Sequence, residues 1–426
     1  MYGYAAQFRV EMNTNQATLF TIFLFLLLPA PVLARGIIDV AIVVQSPIES
    51  EPYSYLVDLF EAENPGYSVI LHARNDKSFK QTLPEWLEKS EMDVIFWQAG
   101  ERLFNYARSQ KIKSLNHIWE SNELDNYYSA RLKQLVLLNE HVYALPVAKY
   151  NWGFFYNQVL FESLNIQPPK TITELMTVCS TLSKQGIPAM LLGARDQWPT
   201  LAWFDYINIR MNGLAFHQGL LNGEISFQSE EVMSVFKLWK QLLEECPFNT
   251  DYAQKTWDQP ISALTRGKAG MMLMGNFLQH KLFPDRLQKL GYFPFPEINK
   301  KHNNYEIVPT DVVMISANSN NEEGAEAFVR YLTQTDILGK FNERLSHPLI
   351  TDGTYPKANH LTQAAVEQLE NSKGFTQYFD RAAPGYLADA ALDYFNVFIE
   401  NKDIAAVAKA LEKVRITKQY SHDKRP

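Results

Sequence analysis

Basic residues are scarce in this 426-residue chain, where 40 Lys and Arg stand against 47 Asp and Glu for a net charge of −7. A chain this acidic lacks the clustered cations that nucleic acid and anionic membranes reward, and no basic run appears before Lys424 and Arg425. Cysteine is rarer still. With only Cys179 and Cys246, no disulfide framework can carry the fold, which must rest on the packed core that a chain of this length can bury. Whether the two cysteines pair stays open: sequence does not show how close their Cα atoms lie, and Cys179 reads equally as a small hydrophobe in a helical pattern with Leu175, Val178 and Leu182. Enzymatic signatures are missing as well. There is no Gly-x-x-x-x-Gly-Lys-Ser/Thr loop, no Gly-x-Gly-x-x-Gly, no His-Glu-x-x-His and no Gly-x-Ser-x-Gly; Arg266-Gly267-Lys268-Ala269 lacks the glycine-rich approach and the hydroxyl of a phosphate loop. The nine histidines make no i,i+4 pair on a helix, so neither a metal nor any other cofactor is expected. Paired carboxylates for glycoside hydrolysis have no fixed sequence spacing, and the group Glu49, Glu51, Glu61 and Glu63 reads as a solvated loop and helix face.

Long apolar runs are limited to Ala17–Ala34, ATLFTIFLFLLLPAPVLA, which has the character of an export signal. Its unbroken core, Leu19–Leu28, is short for a bilayer, Pro29 and Pro31 interrupt it, and Val32-Leu33-Ala34 supplies the small residues of a cleavage site, expected after Ala34. The alternatives are an uncleaved anchor and a start at Met12 rather than Met1. No Cys follows the run, so a lipid anchor is not expected. Removing residues 1–34 leaves the net charge at −7, because Arg9 and Glu11 cancel. The chain reads as an acidic periplasmic protein.

Beyond the signal, strands and helices alternate. Ile37–Val44, Tyr67–His72 and Asp93–Trp97 read as strands, with helices at Tyr55–Asn64 and Phe79–Lys89 between them and Leu103–Gln110 after, a βαβαβ order that predicts a largely parallel sheet. His141–Asn157 is strand-like around Pro146, as an edge or crossover would be. Helices follow at Ile172–Gln185, Trp203–Asn212 and Glu230–Glu245, with strands at Ala189–Gly193, Gly270–Met274 and Asp311–Ser316. Met271, Met272 and Met274 read as core filler. No fixed-period repeat or low-complexity stretch interrupts the pattern.

What the chain has in abundance is aromatic side chains, 13% of it, set beside planar hydrogen-bonding groups at strand ends. Phe96-Trp97-Gln98-Ala99-Gly100-Glu101-Arg102 follows the third strand of an α/β unit, where ligand crevices open. A sugar needs this mixture: the C–H face of a pyranose packs on an aromatic ring, and its hydroxyls need donors and acceptors. Seven blocks of this kind, in order, resemble extracellular solute-binding protein family 1 of ABC importers, the maltose-binding-protein-like group. They are DVIFWQAGERLFNYA, VYALPVAKYNWGFFYN, DQWPTLAWFDYINIRMNG, RGKAGMMLMGNF, YFPFPEI, PTDVVMIS and the closing helix ALEKVR before Ile416-Thr417-Lys418. The loop Ser46–Tyr53, SPIESEPY, departs from the Trp- and Gly-rich pattern usual there.

The resemblance implies an α/β, two-lobed periplasmic binding protein fold of type II, each lobe a mostly parallel sheet flanked by helices, with the ligand in a cleft at the hinge. It divides the chain into residues 35–147 plus 292–350, residues 148–291 plus 351–420, and a tail at 421–426. It assigns ligand contacts to Trp97, Glu101, Arg102, Tyr150, Trp152, Trp198, Trp203, Asp205, Asn276, Phe277, Asp311 and Tyr386. Glu101 stands where the family has an Asp, with one residue inserted before it. Tyr150 and Trp152 would face the cleft as stacking or hydroxyl-contacting groups, with plain lobe core as the alternative and the two not expected both to bind, and Trp198 reads equally as a loop anchor. Asp258 fits a helix N-terminus, and Asp380 and Arg381 are expected to pair with each other. The implied function is a monomeric, non-enzymatic receptor that captures a mono- or oligosaccharide and hands it to ABC permease subunits. The divergent Ser46–Tyr53 loop motivates an alternative, a sugar-sensing subunit for a membrane histidine kinase or chemoreceptor.

Overall fold

A computed structural model describes residues 36–44, 47–351 and 358–422. The expected export signal with its cleavage at Ala34, the start of the divergent loop at Ser46, and the tail beyond His422 lie outside the described residues.

Two hydrophobic cores organise the chain. The first is built on a five-stranded sheet of β1 (Gly36–Val43), β2 (Tyr67–Arg74), β3 (Val94–Gln98), β6 (Leu145–Lys149) and β12 (Thr310–Ile315), in the order β2-β1-β3-β12-β6. A small hairpin of β4 (Leu137–Leu138) and β5 (His141–Val142) precedes β6. β1 runs parallel to β2 and β3, as the βαβ alternation requires, and the helices Glu51–Glu63 and Asp76–Lys89 are the crossovers. The second of these starts cleanly because the Asn75 side chain accepts from Ser78 N. β12 pairs antiparallel with both β3 and β6.

The second core surrounds β7 (Trp152–Asn157), β8 (Met190–Leu191), β9 (Met271–Gly275) and β10 (Leu290–Phe293), ordered β10-β7-β9-β8. Here β7 is antiparallel to both β9 and β10, and only β8 with β9 is parallel. The sheets are therefore mixed rather than mostly parallel. The reason is connectivity: β12 and β7 arrive through segments passing from one core to the other, so no βαβ crossover sets their direction. Helices Ile172–Lys184, Leu201–Asn212, Glu230–Glu245 and Gly385–Asn401 cover this sheet, the first opened by a capping box between Thr171 and Glu174. The Met run sits in β9 with Met271, Met272 and Met274 fully buried. Cys179, inside the Ile172–Lys184 helix, and Cys246, at the C-terminal end of Glu230–Glu245, form a disulfide with Cα atoms 5.3 Å apart.

Two of the passages between cores are short. Tyr150 and Asn151 link β6 to β7, and Val308-Pro309 links β11 (Tyr305–Ile307), paired in parallel with β13 (Gly374–Thr376), to β12. Tyr150 N donates to Pro309 O at 3.1 Å, tying the two passages side by side. Residues 292–307, expected with the first core, pack with the second: β10 pairs with β7, and Phe293, Phe295 and Ile307 are buried there. The chain returns to the first core at Pro309, not at the Pro294 and Pro296 pair.

Candidate functional site

The two sheets face each other end on. The carboxyl end of β3 lies opposite the start of β12, with Gln98 beside Asp311, and the carboxyl end of β6 adjoins them. From the other side come the start of β7 and the end of β9, where Trp152 pairs with Gly275. Between them is a cavity of about 230 Å³, just below the ~300–1,000 Å³ of typical small-molecule sites.

The second core presents rings to this cavity. Trp152 and Tyr378 stack at 4.9 Å with 22° between planes, Trp198 meets Trp152 edge-on at 5.9 Å, and Trp257 meets Phe277 edge-on at 5.1 Å. All five line the space. The first core presents Tyr53, Phe96 and Trp97, and between the rings it sets charged groups. Trp97 lies almost parallel to Phe79, 5.6 Å away, and its Nε1 donates to Arg102 O at 3.3 Å.

A single turn, Phe379–Ala382, crosses from the second core and meets the charges of the first. Arg102 donates through Nε to Asp380 O at 2.6 Å and through Nη2 to Asp380 Oδ2 at 2.8 Å. Lys80 lies 3.7 Å from the same carboxylate and donates to Asp76 at 2.8 Å. Arg381 donates to Asp311 Oδ1 at 2.8 Å, to Thr310 O at 3.1 Å and to the Tyr150 hydroxyl oxygen at 2.6 Å. The expected Asp380–Arg381 pair is replaced by these longer-range pairs, because neighbouring side chains on the turn diverge toward different strands. Burial pushes the Asp380 carboxyl up, but Arg102, Lys80 and Arg381 outweigh it and hold it below its usual value. Burial raises Asp311, with the Arg381 guanidinium opposing. His280 and His347, which also line the cavity, are both pushed down by burial and stay neutral.

Two backbone details place the turn. Asp205, fully buried, accepts from Phe379 N at 2.9 Å. Gly100 has φ of 85°, and a Cβ there would come within 2.8 Å of Arg381 O, so only glycine lets the Glu101–Arg108 helix start this close to the turn.

Of the residues expected at the ligand, Trp97, Tyr150, Trp152, Trp198, Phe277 and Asp311 line the cavity. The other six do not. Arg102 stands behind it, holding Asp380. Glu101 pairs with Arg108 on its own helix. Trp203 is core, edge-on to Phe154 at 5.7 Å, because its helix is buried on every side from Leu201 to Arg210. Asp205, on the same helix, serves the turn. Asn276 is fully buried and donates to Ser346 O at 3.2 Å. Tyr386 is half-buried on the Gly385–Asn401 helix, one turn past the cleft. Sequence reasoning missed Asp76, Lys80, Tyr53, His280, His347 and Tyr378 as cavity-lining residues. Asp258 does not cap a helix: it accepts from Thr256 Oγ1 at 2.7 Å, and Pro260 precedes the helix Ile261–Thr265. Three lining residues carry buried polar atoms that no protein group satisfies: Gln98 Oε1, Trp152 Nε1 and His347 Nδ1.

The two packed α/β bodies hold a ring-lined cavity between their strand ends. The profile of the bacterial extracellular solute-binding proteins matches residues 46–337, and the chain belongs to that family, whose members are solute-binding receptors of ABC transporters and not enzymes. It is 24% identical over 339 residues to an uncharacterised ABC transporter extracellular-binding protein of Pyrococcus horikoshii, covering 76% of this chain and 74% of that one. It is 23% identical to the multiple sugar-binding protein of Streptococcus mutans, with coverages of 70% and 72%. Among solved structures, the bacterial solute receptor AcbH, described as preferring β-D-galactopyranose, superposes with a TM-score of 0.85 at 23% identity over 90% of this chain and 99% of that one. A chitin oligosaccharide binding protein superposes with a TM-score of 0.81 at 20% identity, with coverages of 89% and 98%. At these identities the superpositions speak for the fold, which is that of the two-lobed periplasmic binding proteins. Among the described residues no helix is long and apolar enough to cross a membrane.

Proposed function

We propose that the chain is an exported periplasmic receptor that closes its two lobes on a carbohydrate and delivers it to the permease of an ABC importer. The observation that carries this reading is the pairing of surfaces around the cavity: Trp152, Trp198, Trp257, Phe277 and Tyr378 on one side, and carboxylates and cations on the other. Rings take the C–H face of a pyranose, and the polar side takes its hydroxyls, so neither wall alone suffices. The lobes hinge at Tyr150-Asn151 and Val308-Pro309, where short passages tied by one hydrogen bond absorb the rotation. Trp97, Tyr150, Trp152, Trp198, Phe277 and Asp311 act at the ligand, with Arg102, Asp205 and Asn276 behind them.

Four tryptophans line the cavity, which makes intrinsic fluorescence the direct test. Full-length protein, unfolded and refolded once to strip carried-over ligand, is titrated with neutral mono- and oligosaccharides. A saturable change with one sugar class is expected, and a folded protein silent to the whole panel would overturn the carbohydrate reading.

A further inference from the structure

Each charge lining the cleft is paired with a protein charge of opposite sign. Its lining holds four carboxylates, Glu49, Asp76, Asp311 and Asp380, and two cations, Lys80 and Arg381. Behind the lining stand Arg102, bonded to Asp380, and Lys281, paired with Glu49. Asp76 has Lys80 at 2.8 Å and Asp311 has Arg381 at 2.8 Å. Each carboxylate thus has a protein cation, and each cation a protein carboxylate. His280 and His347 are kept neutral by burial and add no charge.

An ionised ligand entering this space gives up its hydration and meets no uncommitted counter-charge, so its desolvation goes uncompensated in a closed site. A neutral polyol meets no such penalty. A carboxylate can accept from hydroxyl donors, and Lys80 has three N–H donors for its two acids. The pairs also cost something to break, because Asp380 is 5% exposed and accepts from Arg102 through both its backbone carbonyl and its carboxylate.

We propose that the cleft selects uncharged saccharides and rejects the carboxylated and the amino forms of the same ring, because the charges lining it are matched one to one by the protein. This rests on the carbohydrate reading above and narrows it.

The test uses matched triplets: a neutral hexose, its 6-carboxylate uronic acid and its 2-amino-2-deoxy form, in the galacto, gluco and manno series. Each is titrated calorimetrically into the refolded full chain at pH 7 and low salt. In the series that binds, the neutral member is expected to bind at least ~100-fold more tightly than either charged one. Equal or tighter binding of a uronic acid or amino sugar overturns the proposal while leaving the carbohydrate reading intact. Saturable binding of a phosphate, amino acid or polyamine, with no sugar bound, overturns both. A second measurement asks about cause. Lys80→Met, at a side chain 24% exposed, strips Asp76 of its cation and is expected to raise the amino-to-neutral affinity ratio at least ~10-fold. An unchanged ratio in a folded variant would show that charge matching does not set the selection.

Discussion

The two walls of the cleft differ in how they are attached to the protein. The rings of the second lobe continue into its core: Trp152 is 2% exposed, stacks on Tyr378 and is flanked by Phe277 and Trp198. The polar groups of the first lobe stand proud of a core that includes Ile38, Val40, Ile42, Val94 and Ile95, and Asp76 and Lys80 lie on one face of a surface helix, each 24% exposed. Binding and stability are therefore coupled on one wall and separable on the other. The second lobe also concentrates the other costly devices, namely a buried Arg210–Glu306 pair at 2.7 Å, a disulfide and a buried histidine.

The largest break in this comparison is Trp152→Ala, which removes a ring from wall and core together. It is expected to cost about 3–5 kcal/mol of folding stability and to abolish the sugar response, read as a lowered urea midpoint and lost fluorescence change. Full affinity in this variant would detach Trp152 from the site. Arg210→Met strands the Glu306 carboxylate, which also accepts from Tyr206 and Gln368, and should cost about 3–5 kcal/mol. Adding Glu306→Leu should recover much of that loss, and a double variant as unstable as the single one would argue against the pair.

Opening the Cys179–Cys246 bridge, which spans 67 residues, is expected to cost about 2–4 kcal/mol through the freed unfolded chain, seen as a lower midpoint for Cys179→Ser with Cys246→Ser. Acid titration of His217 should cost the second lobe a similar amount, opposed by Asp205 beside it, whose carboxyl is raised by burial. Burial pushes His217 down to about 3, so from pH 6.5 downward the unfolded state takes up a proton that the folded state refuses, and stability falls until the folded histidine titrates. Between pH 7 and 4.5 this amounts to about 3 kcal/mol. His217→Gln should flatten the pH dependence of the urea midpoint, and parallel slopes would acquit that residue. The smallest stability effect belongs to the first wall. Asp76→Asn should change folding by under about 1 kcal/mol while weakening sugar affinity roughly tenfold, the cost of losing a charged hydrogen-bond partner. A variant equally impaired in both would erase the contrast between the walls.

Legibility followed the range of the interaction. The helix of Glu230–Glu245 shows in the spacing of Val232, Val235, Phe236, Trp239 and Leu243, and β9 in a run of apolar residues, since both patterns repeat within a few positions. Six of the twelve expected site residues line the cavity, those lying on a strand end, a crossing or a short turn beside the cleft. Trp203 and Asp205 misled because a helix buried on every side presents no outer face by which to tell core from rim. Asp76 and Lys80 were passed over because an i,i+4 acid–base pair on a helix has the same appearance on any surface.

From the sequence alone follow the acidic character, the order of strands and helices, the family and the aromatic supply of the cavity. All of these are recorded in composition or in neighbours along the chain. The tertiary structure alone decides that β12 and β7 run against their neighbours, that residues 292–307 belong to the second core, and that Arg102 meets Asp380 across 278 positions. Such pairings depend on the path by which the chain passes three times between two cores, and Coulombic partners are chosen by distance in space, which no local periodicity encodes.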